Sequence, residues 1–441
     1  MTSFADAFQL LVATVCERLG DAAVRSGRVL RDARGQLTFL LAHDIPSQQK
    51  EELARLLRDK LGTYARQDRV LASPEDIGVP RLLREPPSQW LTTPSGRIAT
   101  LDRRIIGADW LAQPDPAPCR PPIVAFTSLK GGVGRTTALC VAAAELAREG
   151  SRVLVLDLDL EAPGAGALLL PTADRRPRFG VVDYLVERSL RNAPDDEPDD
   201  ILDALVATCS FGQPNELTTS TGLALPTWSG LVDVVPAFGT SCQPEHYLGQ
   251  LSRALMDSGP EGTQRPLRAK LADLLRSLSE RDEYDIILVD VRAGLAEISA
   301  GPMLSIGANI LLFGTGQRQT LEDLRLLFAH LSTLIPPESD SPWQKIEFVL
   351  AKAPSTNLEW FKDELYELFQ SYIYEAQDGL EGFNFQRDDD EAPHHPVPIA
   401  FHPDFADWDP SRRPSDLSQK FYAQAFGPFL ERVKALLGAR E

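Results

Sequence analysis

From Pro122 onward the sequence keeps returning to one short unit, an apolar run rich in β-branched residues followed by a stretch with helical spacing. The runs are PIVAFTSL (122–129), RVLVLDLD (152–159), LVDVVPAF (231–238), YDIILVDV (284–291), NILLFGT (309–315) and EFVLAKA (347–353). Each is continuous rather than alternating, which is the pattern of a strand buried on both faces. Amphipathic stretches near 135–149, 266–281, 319–334, 358–371 and 418–437 fill most of the intervals. Strands of this kind, separated by helices, predict an α/β fold with a doubly wound, mainly parallel sheet.

Just ahead of the first run lies AQPDPAPCRPP, with five prolines in the nine residues 114–122. Proline fixes φ, lacks an N–H and restricts the residue before it, so this segment is a stiff extended connector. It divides the chain into a small N-terminal α+β domain (1–112), a linker (113–122) and the α/β domain (123–441). In the first part Phe4, Phe8, Leu11, Val15 and Leu19 recur at helical spacing, and QLTFLLA (36–42) reads as a buried strand. Leu53, Leu56, Leu57 and Leu61 line a second helix, and GRIATLDRRIIGADWL (96–111) supplies a hairpin or a final strand. These apolar stripes are read as core, and no chemistry stands out in them.

The net charge of −18 is unevenly spread. Residues 1–121 hold 17 Lys and Arg against 15 Asp and Glu, and the remainder holds 28 against 48. A field of that sign repels phosphate backbones and anionic lipid, which argues against DNA and membrane surfaces as partners. The five cysteines are scattered and never form CxxC, so a disulfide framework, a zinc knuckle and an iron–sulfur site are not expected. No apolar run follows a basic start and none reaches about 18 residues, so the expected location is cytoplasmic. The acidic runs DDEPDD (195–200) and DDDE (388–391) read as solvated loops, and His394 and His395 beside the second are weak as a metal pair.

The chemistry concentrates in FTSLKGGVGRTTALC (126–140), which follows a strand and opens a helix. Glycines let backbone N–H groups converge on phosphate oxygens, and the helix N-terminus adds partial positive charge. Gly131, Gly132 and Gly134 supply the turn, and Thr136 is placed to offer a hydroxyl to Mg²⁺. The pattern GxxxxGK[ST] fails at two positions, Leu129 and Arg135. Two later strands end in carboxylates, Asp157 and Asp159 in VLVLDLDLEAPG and Asp290 in YDIILVDVRAG, at the sheet edge where open α/β folds bind ligands. A Mg²⁺-nucleotide would satisfy them together.

This ordered series resembles the deviant Walker A ATPases of the ParA/MinD class, whose loop reads xKGGVGKTT. Leu129-Lys130-Gly131-Gly132-Val133-Gly134-Arg135-Thr136-Thr137 corresponds to that loop and Asp157-Leu158-Asp159 to the DxD strand end. VVPAF, YDIILVDVRAG and GANILLFGTGQRQTLED follow in family order, so the likeness covers about 122–355. The resemblance implies ATP and Mg²⁺ as cofactors, with Lys130 through Thr137 around the phosphates. Lys130 would reach across an ATP-sandwiched homodimer, and Arg135 would contact the β and γ phosphates. Thr136 would ligate the metal, Asp157 and Asp290 would hold its bound waters, and Asp159 would orient or activate the attacking water. Arg135 stands where the family carries lysine, as in a KGGVGR variant branch associated with bacterial conflict or signalling cassettes. The expected function is therefore an ATP-switched dimer that hydrolyses slowly and controls a protein partner through the N-terminal domain. The alternative is a nucleotide-binding sensor or scaffold without hydrolysis, since arginine is planar and bidentate where lysine is a point charge.

Overall fold

The computed structural model describes residues 2–94, 96–115, 120–190, 200–212, 227–257, 265–281, 283–334, 345–354, 359–374 and 383–438. Cys119 and the acidic stretch 195–199 lie outside them. The chain forms two compact units, Met1–Ala112 and Gln113–Glu441.

In the first unit, helices α1 (Phe4–Leu19), α2 (Asp21–Ser26), α3 (Ser47–Leu61) and α4 (Val79–Arg84) accompany strands β1 (Arg28–Arg31), β2 (Leu37–Leu40), β3 (Leu71–Ala72), β4 (Gln89–Thr93) and β5 (Gly96–Asp102). The strands lie in the order β3-β2-β1-β5-β4, and β4 with β5 forms the antiparallel hairpin. Phe8, Leu11 and Val15 of α1 and Leu53, Leu57 and Leu61 of α3 share one core with Phe39 and Ile98 of the sheet. Phe4 departs from the stripe, since it is exposed and its ring is covered by the Arg31 guanidinium at 4.3 Å.

The second unit begins with β6 (Ile123–Ser128), α5 (Arg135–Arg148), β7 (Arg152–Leu158), α6 (Ala165–Leu169), α7 (Val181–Leu190) and α8 (Asp200–Asp203). It continues through β8 (Ala207–Thr208), β9 (Leu231–Val235), α9 (Tyr247–Ala254), α10 (Leu267–Ser279), β10 (Ile286–Val291), α11 (Glu297–Leu304) and β11 (Asn309–Gly314). It closes with α12 (Arg318–Leu334), β12 (Ile346–Ala353), α13 (Glu359–Tyr372), β13 (Val397–Ala400) and α14 (Gln419–Gly438). The strand order is β13-β12-β11-β6-β10-β7-β9-β8, parallel throughout except for the short edge strand β8. The sheet is therefore doubly wound, with β6 and β10 at its centre.

Alternate residues of each strand feed opposite cores. Phe126, Val155, Leu288 and Phe313 pack under α5 and α14, while Ala125, Leu154, Leu156 and Val289 pack under α7, α10 and α11. The C-terminal helix closes onto the sheet through Phe429 and Val433, both buried. Phe429 meets Phe126 and Phe313 edge-on, at ring centroid distances of 6.1 and 5.8 Å. Burying one such ring contributes about 2–3 kcal/mol. A polar tie reinforces this face. Glu145 of α5, 2% exposed, accepts from Tyr422 Oη at 2.7 Å, Arg148 Nε at 2.8 Å and Lys434 Nζ at 3.1 Å. His394 is buried against Tyr374, with its Nδ1 2.5 Å from the phenol oxygen, so its role here is structural.

Candidate functional site

The site is assembled where β6, β7 and β10 end side by side. After Ser128 the chain turns through Leu129–Gly134 and enters α5 at Arg135. Gly132 and Gly134 carry φ of +74° and +93°, a left-handed backbone that costs a side-chain-bearing residue about 1–2 kcal/mol. The first N–H groups of α5 have no carbonyl within the helix, which leaves that helix end suited to anionic oxygens.

The carboxylates come from strand register. β10 lies between β6 and β7, with Asp290 beside Phe126 on one side and Asp157 on the other. Asp157 and Asp290 are both fully buried. Asp157 accepts from the backbone N–H of Gly164 at 3.1 Å, Gly166 at 2.9 Å and Asp159 at 3.2 Å. Gly166 is required at that spot, because a Cβ there would come within 2.8 Å of Pro236 Cβ. Burial and the neighbouring Asp290 push the Asp157 carboxyl up to about 8, against the pull of the amide hydrogen bonds. Burial also raises Asp290, and the Arg135 charge opposes it.

Arg135 is the hub. Its side chain is 7% exposed and forks to three partners. Nε donates to Asp290 Oδ1 at 2.7 Å, Nη2 to Asp159 Oδ2 at 2.8 Å and Nη1 to Ser128 Oγ at 3.2 Å. Thr136 Oγ1 donates to the other Asp290 oxygen at 2.7 Å. Only a planar, five-donor cation can tie two strand ends and a hydroxyl in this way. Arg292, just past β10, pairs with Glu161 beyond β7 and joins the same two segments further out.

In front of these groups lies a cavity of ≈ 490 Å³. Gly131 through Thr137 and Asp159 form one wall. Ala351, Ile399, Phe401, Phe405 and Phe426 form an apolar end able to take a flat ring. Lys352 lines it as well, held at a left-handed φ of +53°, and its Nζ donates to the Gly132 carbonyl at 2.7 Å.

The sequence-derived residues therefore fall into three groups. Gly131, Gly132, Val133, Gly134, Arg135, Thr136, Thr137 and Asp159 border the cavity, and Asp157 and Asp290 are buried. Lys130 is exposed, with Nζ donating to Gln319 Oε1 at 3.1 Å. The sequence placed the base pocket near Ala351 or Lys352 but missed Ser128, which ends β6 beside the loop, and the aromatic residues that the segment after β13 and α14 contribute.

Thr136, Asp157 and Asp290 are hard oxygen donors of the kind magnesium takes. In this arrangement they do not fit one. Both Asp290 oxygens are engaged, one by a guanidinium 2.7 Å away and the other by the Thr136 hydroxyl. A dication sharing Asp290 with Arg135 would meet a like charge at contact range.

With this geometry in view, one family model matches the chain. Residues 122–189 match an AAA domain. The AAA match takes in β6, the loop, α5 and the Asp157 strand end, which belong to the stretch that resembles the ParA/MinD-type P-loop ATPases. Over 57 residues the chain is 45% identical to an iron-sulfur cluster carrier protein of Pseudomonas fragi, covering 13% of this chain and 20% of that protein. The chain thus spans about a fifth of the length of that curated relative. Among solved structures, the cell division ATPase MinD of Pyrococcus furiosus superposes with a TM-score of 0.40 at 19% identity, over 72% of this chain and 99% of that one. MinD of Aquifex aeolicus gives 0.40 at 16% identity, over 71% and 97%. A ParA family ATPase of Chlorobium tepidum TLS gives 0.36 at 18%, over 58% and 86%. The doubly wound assignment stands on the strand order itself. Among the described residues, no helix is long and apolar enough to cross a membrane.

Proposed function

We propose that the second unit binds ATP with its phosphates on the Gly131–Thr137 loop and its base at the apolar end of the cavity, and acts as a switch that a partner reads. The observation that carries this reading is the loop bordering a cavity whose two ends differ in chemistry, backbone and cation at one and aromatic rings at the other. Lys130, exposed at the loop's front, supports closure of two subunits around the nucleotide. The N-terminal unit is the natural surface for a protein partner, in keeping with the conflict or signalling setting of KGGVGR relatives.

Turnover is slow in this reading. A carboxylate orients water best when it is unpaired, and Asp159 is held by Arg135 at 2.8 Å. That same contact favours the second reading, a nucleotide-binding sensor without hydrolysis. Calorimetric titration with ATP tests binding, and no heat at any ratio would sink the proposal. Light scattering with ATP should give a dimer that Lys130→Ala abolishes while binding persists. Phosphate release separates the two readings, since Asp159→Ala removes a slow turnover under the first and changes nothing under the second.

A further inference from the structure

We propose that nucleotide binding at this site needs no divalent cation, because Arg135 already holds the carboxylates a metal ion would use and meets the phosphates with its remaining N–H groups, beside Lys352. The inference rests on the nucleotide-binding reading above and adds to it how the phosphate charge is met. Three observations carry it.

First, the guanidinium bridges the two strand-end carboxylates at 2.7 and 2.8 Å and is 7% exposed, so it offsets one of their two charges and occupies an oxygen of each. Breaking a buried pair of this kind by withdrawing one partner costs several kcal/mol, so phosphate does not easily pull the arginine away. Second, arginine has five N–H groups, and the contacts to Asp290, Asp159 and Ser128 commit three of them. Two remain for phosphate oxygens in the cavity that Arg135 itself borders, without loss of the carboxylate contacts. A lysine has three N–H groups and no fork, so it cannot serve both sets at once. Third, the Thr136 hydroxyl is turned to Asp290 at 2.7 Å, and Lys352 adds a second cation beside the loop at Gly132. Arg135, Lys352 and the N-terminal end of α5 together supply the hydrogen-bond donors that polyphosphate takes.

The experiment is a fluorescence titration of the full chain with a ribose-labelled ATP analogue, once with excess Mg²⁺ and once with EDTA. The wild-type dissociation constants are expected to agree within about threefold. Arg135→Lys, checked for an intact fold by circular dichroism, is expected to weaken in EDTA by about tenfold or more relative to Mg²⁺, because lysine cannot bridge the acids and meet phosphate together. Wild-type affinity that falls tenfold or more in EDTA overturns the inference while leaving nucleotide binding intact. Absence of binding in both buffers overturns the nucleotide reading and this inference with it. The wild-type pair of titrations decides the matter even if the variant does not fold.

Discussion

At the residue scale, Arg135 is a structural element that ties the ends of β7 and β10 together. Asp290 and Arg135 are buried together, and removing the Asp290 charge leaves Arg135 with Asp159 as its carboxylate partner. Asp290→Asn is therefore expected to cost about 3 kcal/mol, read as a shift of the urea midpoint at neutral pH. A change below roughly 1 kcal/mol would mean the pair contributes little. Which residues were legible follows from how far each must reach. Gly132, Gly134 and Thr136 belong to a local pattern, and Asp157 and Asp290 close their own apolar strands, so spacing reveals them. Arg135 finds partners 7, 24 and 155 residues away, and no local pattern states such a destination. The contact of Lys352 with Gly132 is equally opaque, because it depends on a left-handed backbone at the end of β12.

At the element scale, the fold was read where strands are long and apolar and missed where they are not. The six continuous runs all became strands, and the five helical stretches all formed, because burial on both faces and period 3.6 leave strong marks. β8 has two residues and β13 contains Pro398, so neither carries a strand signal of its own. The pairing of α5 with α14 depends on Glu145, and its titration makes it testable. Burial opposes ionisation, but hydrogen bonds from Arg148, Tyr422 and Lys434 hold the carboxyl down from 4.5 to about 2. A depressed carboxylate contributes stability that is fully present above the unfolded value and is lost as pH falls toward the folded one. Glu145→Gln is expected to lower stability by about 2–3 kcal/mol at pH 7, with the deficit shrinking between pH 4.5 and about 2. Urea midpoints at pH 7 and pH 3 check this, and an equal deficit at both would count against it.

At the scale of the whole molecule, charge decides what the surface attracts. The second part of the chain carries 28 basic against 48 acidic residues, so its mean field is repulsive to a polyanion, and attraction is confined to the loop and its cations. Duplex DNA is therefore expected not to shift in a gel assay at about 0.1 M salt, with or without ATP. A complex that weakens steeply with salt would show a basic surface that composition hides.

The insertion of β10 between β6 and β7 carries a consequence for how the protein comes to exist. The loop and the Asp157 strand end are complete by residue 159, and Asp290 is made more than a hundred residues later. Until that strand threads between its two elders, Arg135 has no Asp290 to hold and Asp157 no second buried carboxylate beside it. A nascent chain on the ribosome thus emerges with Arg135 short of one partner, and the far side of the cavity, from Ala351 to Phe426, comes later still. Ligand capture then reports a finished sheet, which turns an ordinary binding assay into a gauge of complete synthesis and assembly.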